Sequence, residues 1–252
     1  PEATFSEVAF FNDVRPPVGV QMKYYDACGT DFAYNHMSAG WSWAFDTPFD
    51  WFKQNASRLG GVNQNMVISW PAHIKDKGGL REQFMHVIDV VPTLLEVTGI
   101  SAPEIVDGIK QKPIEGTSFA YTFDAANAKT PSRHHTQYFE MMGQWALYHD
   151  GWLLSTKVNR APWQAFQEAN TDPLNNQVFQ LYDLTNNFNQ SDDIAAQHPE
   201  KITEMRKMFV EEAKKYQVFP LNASVAARVA SPRPSLTAGL TELTYTRPMT
   251  GV

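Results

Sequence analysis

Two rhythms of hydrophobic and polar positions divide this chain. Ile202, Met205, Phe209, Ala213 and Tyr216 recur at spacings of three and four, with Glu200, Lys201, Lys207, Glu211 and Lys215 between them. That period predicts a helix with one apolar stripe, opening at His198-Pro199 and running to about Gln217. Lys207 and Glu211, and Glu211 and Lys215, fall one turn apart, where opposite charges pair. Upstream the rhythm shortens. Gln137–Glu140, Trp145–Tyr148, Trp152–Thr156 and Val178–Tyr182 are brief runs rich in aromatic and aliphatic residues, and Asp150-Gly151 is a hairpin signal between the second and third. The pattern predicts a small antiparallel sheet of about four strands. A one-sided helix needs a surface to cover, and this sheet supplies it.

The first half reads differently. Met66-Val67-Ile68-Ser69 is a short apolar run closed by Trp70-Pro71, which predicts a buried strand added to a larger sheet. A helix follows from near Asp89, with Pro92 tolerated in its first turn and Gly99 as its stop. Val91, Leu94, Leu95 and Thr98 recur on one face, which predicts that this face is buried. Asp89 and His86 therefore read as structural, Asp89 as a cap. Ser101–Lys112 reads as a connecting loop, and Gly116-Thr117-Ser118 as a turn into a short helix. Residues 1–50 read as irregular and aromatic-rich, broken by Pro16-Pro17. Their aromatics either line a substrate mouth or pack a loop-rich wall. Residues 222–252 carry Pro232, Pro234 and Pro248 without a period and predict an extended tail.

Composition narrows the function classes. A chain of 252 residues, 43% hydrophobic and 13% aromatic, can bury a sizeable core in one or two domains. A net charge of −6 speaks against a nucleic-acid surface, but local cations can still hold an anionic substrate. The single cysteine, Cys28, excludes an internal disulfide framework and leaves the compartment open. No run reaches the roughly 18–20 apolar residues of a membrane span. Asn55, Asn189 and Asn222 stand in Asn-x-Ser triplets, acceptors for glycans only in a secreted eukaryotic setting.

The candidate chemistry gathers at Lys53. This lysine precedes Gly60-Gly61 and the Met66–Ser69 run, and a cation anchored in that way can serve an oxyanion site. The glycine pair permits close approach to the backbone. Arg58 lies beside the pair, placed either to share an anion or to face solvent. His36, after Tyr34-Asn35, is a further candidate for an anion or a leaving group.

Order adds specificity. Trp41, Thr47-Pro48-Phe49, Lys53, Gly60-Gly61 and Trp70-Pro71 come first. His86–Leu95, Thr98-Gly99-Ile100, Pro113–Ser118, Gln180–Leu184 and His198-Pro199-Glu200 follow. This series, from about Tyr24 to Val218, resembles the C-terminal portion of the arylsulfatase family within the alkaline-phosphatase-like superfamily. The resemblance implies an α/β fold: the end of a mixed sheet with flanking helices over residues 1–130, a C-terminal subdomain of antiparallel strands and helix over 131–221, and the tail over 222–252. It implies hydrolysis of small-molecule sulfate monoesters, with Lys53 as the lysine that contacts sulfate and Arg58 and His36 as substrate-binding candidates. Lys53 stands seven residues before Gly60, where many members of the family have six, so a one-residue bulge is expected.

Two family features have no counterpart. The Cys-x-Pro-x-Arg or Ser-x-Pro-x-Arg sequence that yields the formylglycine nucleophile is absent, since Cys28 lies in Ala27-Cys28-Gly29-Thr30-Asp31. The family's calcium is held by an Asp-Asp pair near the N-terminus and by an Asp with Asn, Gln or His ahead of the lysine. Asp13, Asp26, Asp31, Asp46 and Asp50 precede Lys53, none in such a context. The expectation is a C-terminal part of a longer enzyme, inactive alone, binding no metal itself, whose N-terminal part supplies nucleophile and Ca2+ ligands. A periplasmic or secreted location fits the resemblance. The alternatives are a phosphonate monoester or phosphodiester hydrolase of the same superfamily, told apart by its nucleophile, and a non-catalytic standalone module.

Overall fold

The computed structural model describes residues 16–32, 37–164, 170–232, 239 and 241. Its helices are α1 (Val18–Gln21), α2 (Ala39–Asp46), α3 (Leu59–Val62), α4 (Val90–Thr98), α5 (Pro199–Lys215) and α6 (Val225–Ala230). Its strands are β1 (Ile105–Val106), β2 (Ile109–Lys110), β3 (Thr136–Met141), β4 (Gln144–His149), β5 (Trp152–Thr156) and β6 (Phe179–Asp183). The architecture is mixed α/β. A two-residue hairpin, β1–β2, stands apart from a four-stranded antiparallel sheet in the order β3-β4-β5-β6.

The four-stranded sheet organises everything around it. Asp150 (φ 43) and Gly151 (φ 86) make the β4–β5 turn with two left-handed residues, as the Asp-Gly pair predicts. Met142 (φ 54) and Gly143 (φ 77) make the same kind of turn between β3 and β4, without a comparable signal in the sequence. Leu147, Leu154 and Leu181 lie side by side across three strands on one face; Tyr148, Leu153 and Tyr182 lie side by side on the other. Both faces are covered, which is why Trp145-Ala146-Leu147-Tyr148 is unbroken by a polar residue.

The two faces have different covers. Helix α5 lays Met205, Phe209 and Ala213 on the first face, with the Phe209 ring stacked on Trp145 at 3.9 Å. On the second face Ala146, Tyr148, Leu153 and Tyr182 meet Leu59 and Phe84, and Phe84 stacks on Tyr148 at 3.7 Å. The sheet thus joins the two halves of the chain: one face takes its own helix, the other takes the segment that follows Lys53.

A buried carboxylate ties the remaining elements. Asp89 accepts hydrogen bonds from the backbone N–H of His86 and of Thr117, each at 2.7 Å, and pairs with His134 Nδ1 at 2.8 Å. One side chain therefore fixes the start of α4, the 113–118 loop and the approach to β3. Burial, and then the neighbouring His134, hold the His86 ring below the usual histidine range. Gly99 (φ 67) ends α4 in the left-handed conformation.

Four expectations are corrected. Met66–Ser69 forms no strand: among the described residues nothing pairs with it, and Val67 is 92% exposed. A ladder needs a neighbour, and apolar sequence alone does not provide one. Helix α4 buries Thr93, while Val91 and Leu94 are more than half exposed. Thr93 faces inward because its hydroxyl links Asp89 O at 2.6 Å to Phe119 N at 3.0 Å. The stretch before Lys53 is not irregular throughout: α1, a 3-10 turn over Met22–Ala27 and α2 give it local helix. The tail likewise begins with α6, capped by Ser224.

Candidate functional site

Lys53 sits in a turn whose backbone is held by unusual means. Trp51 (φ 62) and Gln54 (φ 86), on either side of it, both take left-handed backbone. Non-glycine residues there cost of order 1–3 kcal/mol each, so the surroundings must over-determine this turn. The glycine pair does so. A Cβ on Gly60 would stand 2.4 Å from Trp51 O and 2.5 Å from Asp50 O, and one on Gly61 would stand 2.2 Å from Asn55 O. Gly60 and Gly61 thus make room for the chain's own carbonyls, where the sequence suggested room for a ligand. The turn packs directly on α3.

Arg58 completes the anchorage. Its side chain is 7% exposed; Nη1 donates to Tyr182 Oη at 2.8 Å, Nη2 donates to Gln180 Oε1, and Asp50 lies 3.6 Å away. The guanidinium faces neither solvent nor an open cleft. It bolts the Lys53 turn to β6. Burial raises the Asp50 carboxyl above its ordinary value, against the pull of Arg58, and burial likewise raises the Tyr182 hydroxyl. A second bolt is Gln190: its Oε1 accepts from Leu59 N at 2.6 Å while its Nε2 donates to Ser155 Oγ at 3.2 Å on β5.

Lys53 itself is exposed, and among the described residues its ammonium has no hydrogen bond or ion pair. Around it stand aromatic rings in mutual contact: Trp43 against Trp51 and Phe52, and Phe52 stacked on Trp163 at 6.4 Å. Trp41, Trp43, Phe45 and Trp163 are exposed. Among the described residues this is an exposed cation without an ion pair, on a turn that adjoins aromatic residues. Chemically it offers electrostatic stabilisation of an anion and contact with an apolar ring. His36 lies outside the described residues. Among the described residues no three Asp, Glu, His or Cys side chains converge as a metal site. Asn55 is 1% exposed and is closed to a glycan in this fold.

Sequence reasoning missed the crevice beside this turn. Gln54, Asn55, Gln144, Arg160 and Pro162 line it, and Asn55 Oδ1, Gln54 Oε1 and Gln144 Oε1 are buried without a hydrogen-bond partner. No spacing in the sequence signals it, because its walls come from three separated segments.

The fold is mixed α/β, built on a four-stranded antiparallel sheet with a packed helix. No family model matches the chain, and no curated protein matches it. Among solved structures the neighbours are sulfatases. One comes from work on metabolism of multiple glycosaminoglycans by Bacteroides thetaiotaomicron: 18% identity, TM-score 0.45, covering 64% of this chain and 31% of that one. Another is Ps i-CgsB in complex with k-i-k-neocarrahexaose: 18% identity, TM-score 0.36, covering 56% and 27%. A third holds its substrate D-glucosamine-2-N,6-O-disulfate: 14% identity, TM-score 0.34, covering 53% and 24%. The chain spans about a quarter to a third of the length of these structures.

Proposed function

We propose that this chain is the C-terminal portion of a sulfuric ester hydrolase of the arylsulfatase type, with Lys53 as the residue that contacts the sulfate group. The observation that carries the reading is the Lys53 turn: an exposed ammonium, unpaired among the described residues, held on a backbone that two glycines, Arg58 and Gln190 fix from three sides. The ordered series of sequence motifs supplies the family, and the turn supplies a physical reason for the motif at its centre.

In this reading the sulfate oxygens and the departing oxygen gain negative charge as the S–O bond breaks. A pre-positioned ammonium stabilises that charge without reorganising, and its three donors suit sulfate oxygens. Burying Arg58 leaves Lys53 as the cation free to act, and Arg58 acts by positioning. Nucleophile and Ca2+ belong to the remainder of the enzyme, whose calcium would activate the nucleophile; this chain alone is expected to be inactive. The exposed stripe of Val87, Val91 and Leu94 supports a body that another part covers.

Lys53→Ala in the complete enzyme tests the assignment. The expected loss of transition-state stabilisation is about 2.7–4 kcal/mol, as for removal of one oxyanion donor. Circular dichroism and the thermal midpoint should be unchanged, because the side chain is exposed. An unaltered kcat/KM on aryl and sugar sulfates would show that the sulfate is held elsewhere.

A further inference from the structure

We propose that the cleft between Trp70, Phe123 and the end of α4 is a binding site for a small zwitterion carrying an aromatic ring, the chemistry of a free aromatic amino acid. None of its lining residues belongs to the Lys53 turn, and the inference does not depend on the sulfate-ester reading.

Three segments build the cleft. Residues 70–76 turn sharply after the Met66–Ser69 run, with His73 N and Ile74 N both donating to Trp70 O, at 2.9 and 2.8 Å. Val97 comes from the last turn of α4, and Phe123 and Asp124 from the 3-10 turns that follow the 113–118 loop. Arg81 ties the first segment to the third: Nη2 donates to Asp76 Oδ2 at 2.8 Å, and Nε donates to Thr122 O. The cleft measures about 500 Å³, a volume typical of small-molecule sites. Its apolar lining centres on Trp70. The Phe123 ring stands nearly at right angles to the indole, 6.1 Å between centroids, and the His73 ring holds the indole from 3.8 Å.

The charges in the walls select the ligand. Asp76 is already neutralised by Arg81. Lys75 folds back so that its ammonium donates to Ala72 O at 2.7 Å, with Pro71 O at 3.4 Å, which leaves it a further N–H. Asp124 uses Oδ1 to accept from Ala126 N at 2.9 Å, which leaves Oδ2. Lys75 and Asp124 are both exposed, and among the described residues neither has an ion pair, with the other or with any third group. One positive and one negative group, each steadied by its own backbone, thus line the same apolar cleft. An anion would be drawn by Lys75 and repelled by Asp124, and a cation the reverse. A neutral ring would strip water from both charges and replace it with nothing. A ligand that bears both charges meets both groups, while its ring meets Trp70 and Phe123.

Isothermal titration calorimetry of the complete protein with phenylalanine, tyrosine and tryptophan tests the site, with saturation-transfer NMR to show which ligand protons touch the protein. At least one of the three should bind with a Kd below about 1 mM, its ring protons in contact. Blocking either charge of that amino acid, as the N-acetyl derivative or as the amide, should weaken binding about ten-fold or more. Lys75→Met should weaken the free amino acid to the level of its amide and leave the amide unchanged. Asp124→Asn, which keeps an oxygen for Ala126 N, should do the same with respect to the N-acetyl derivative. A merely structural role for either residue would not sort the two derivatives in this way. Val97→Trp, which fills the cleft, should abolish binding with the circular dichroism unchanged. A Kd above about 1 mM for all three amino acids, or affinities indifferent to the blocked charges and to both charge variants, overturn the site. Binding that survives Val97→Trp in a folded protein puts the ligand elsewhere and overturns it as well. None of these readouts involves turnover of a sulfate ester, so their failure would leave the assignment of Lys53 standing.

Discussion

Arg58 illustrates how a single side chain can matter to a site without touching substrate. Its guanidinium satisfies Tyr182, which is fully buried, and Gln180, and lies near Asp50, both of which are partly buried. Arg58→Leu would leave all three without their partner. Hydrogen bonds to a charged group are worth about 1.5–3 kcal/mol, and breaking a buried pair about 3–5; with Asp50 partly exposed, a loss of about 2–4 kcal/mol is expected. The midpoint of urea unfolding measures it, with Tyr182→Phe, which removes one hydrogen bond, expected near 1 kcal/mol. A midpoint unmoved by Arg58→Leu would show that the turn is held without its bolt. Lys53 was legible in the sequence as a candidate from its setting among Trp41, the glycine pair and Trp70-Pro71. The burial of Arg58 was not, because its partners lie more than 120 residues away on a strand with no marker for a guanidinium. Asp89 was legible as structural but not as what it is: its side chain caps no N–H of α4, accepting instead from His86 N and Thr117 N, and nothing near it announces His134, 45 residues downstream.

At the scale of elements, the helix and strands of the second half were readable because their periodicity and their environment agree. The α5 stripe meets the sheet, and the Asp150-Gly151 turn does what that dipeptide prefers. The Met66–Ser69 run failed for the opposite reason: a strand is a relation between two segments, and a sequence states only one of them. Helix α3 lies between these cases. Leu59-Gly60-Gly61-Val62 is a poor helix on propensity alone, and it persists because the Lys53 turn packs on its two bare positions. Gly61→Ala should therefore destabilise the fold rather than help the helix. Propensity favours alanine by about 0.8–1 kcal/mol, but a methyl group 2.2 Å from Asn55 O forces the turn away, at about 1–3 kcal/mol of overpacking. Activity should fall further than stability, because the displaced element carries Lys53 and Gln54. A variant with unchanged melting and unchanged kcat/KM would mean that the turn and α3 are not mechanically coupled.

Across the whole molecule, the four-stranded sheet has both faces covered, while the part around α4 does not. Val87, Val91 and Leu94 follow one another at spacings of four and three in the sequence, each largely exposed, and Ile100, Ile105 and Ile109, beyond the helix, are exposed as well. The expected burial of Val91, Leu94 and Thr98 fails in this chain, where the face is exposed and Thr93 turns inward instead. Under the proposed function the rest of the enzyme covers it. Val91→Lys with Leu94→Lys separates the possibilities. Placing two ammonium groups in a covered apolar interface leaves unpaired charges there, so the complete enzyme should lose several degrees in Tm, or fail to accumulate, while the Lys53 turn is untouched. The 252-residue chain expressed alone should respond in the opposite direction, with less self-association in sedimentation and weaker binding of an apolar dye, since in that chain the stripe meets only water. A complete enzyme that keeps its Tm and its kcat/KM with both lysines in place would mean that α4 faces solvent there too. The chain would then be a body in its own right, and the reading that assigns its nucleophile and metal to another part would lose its structural support.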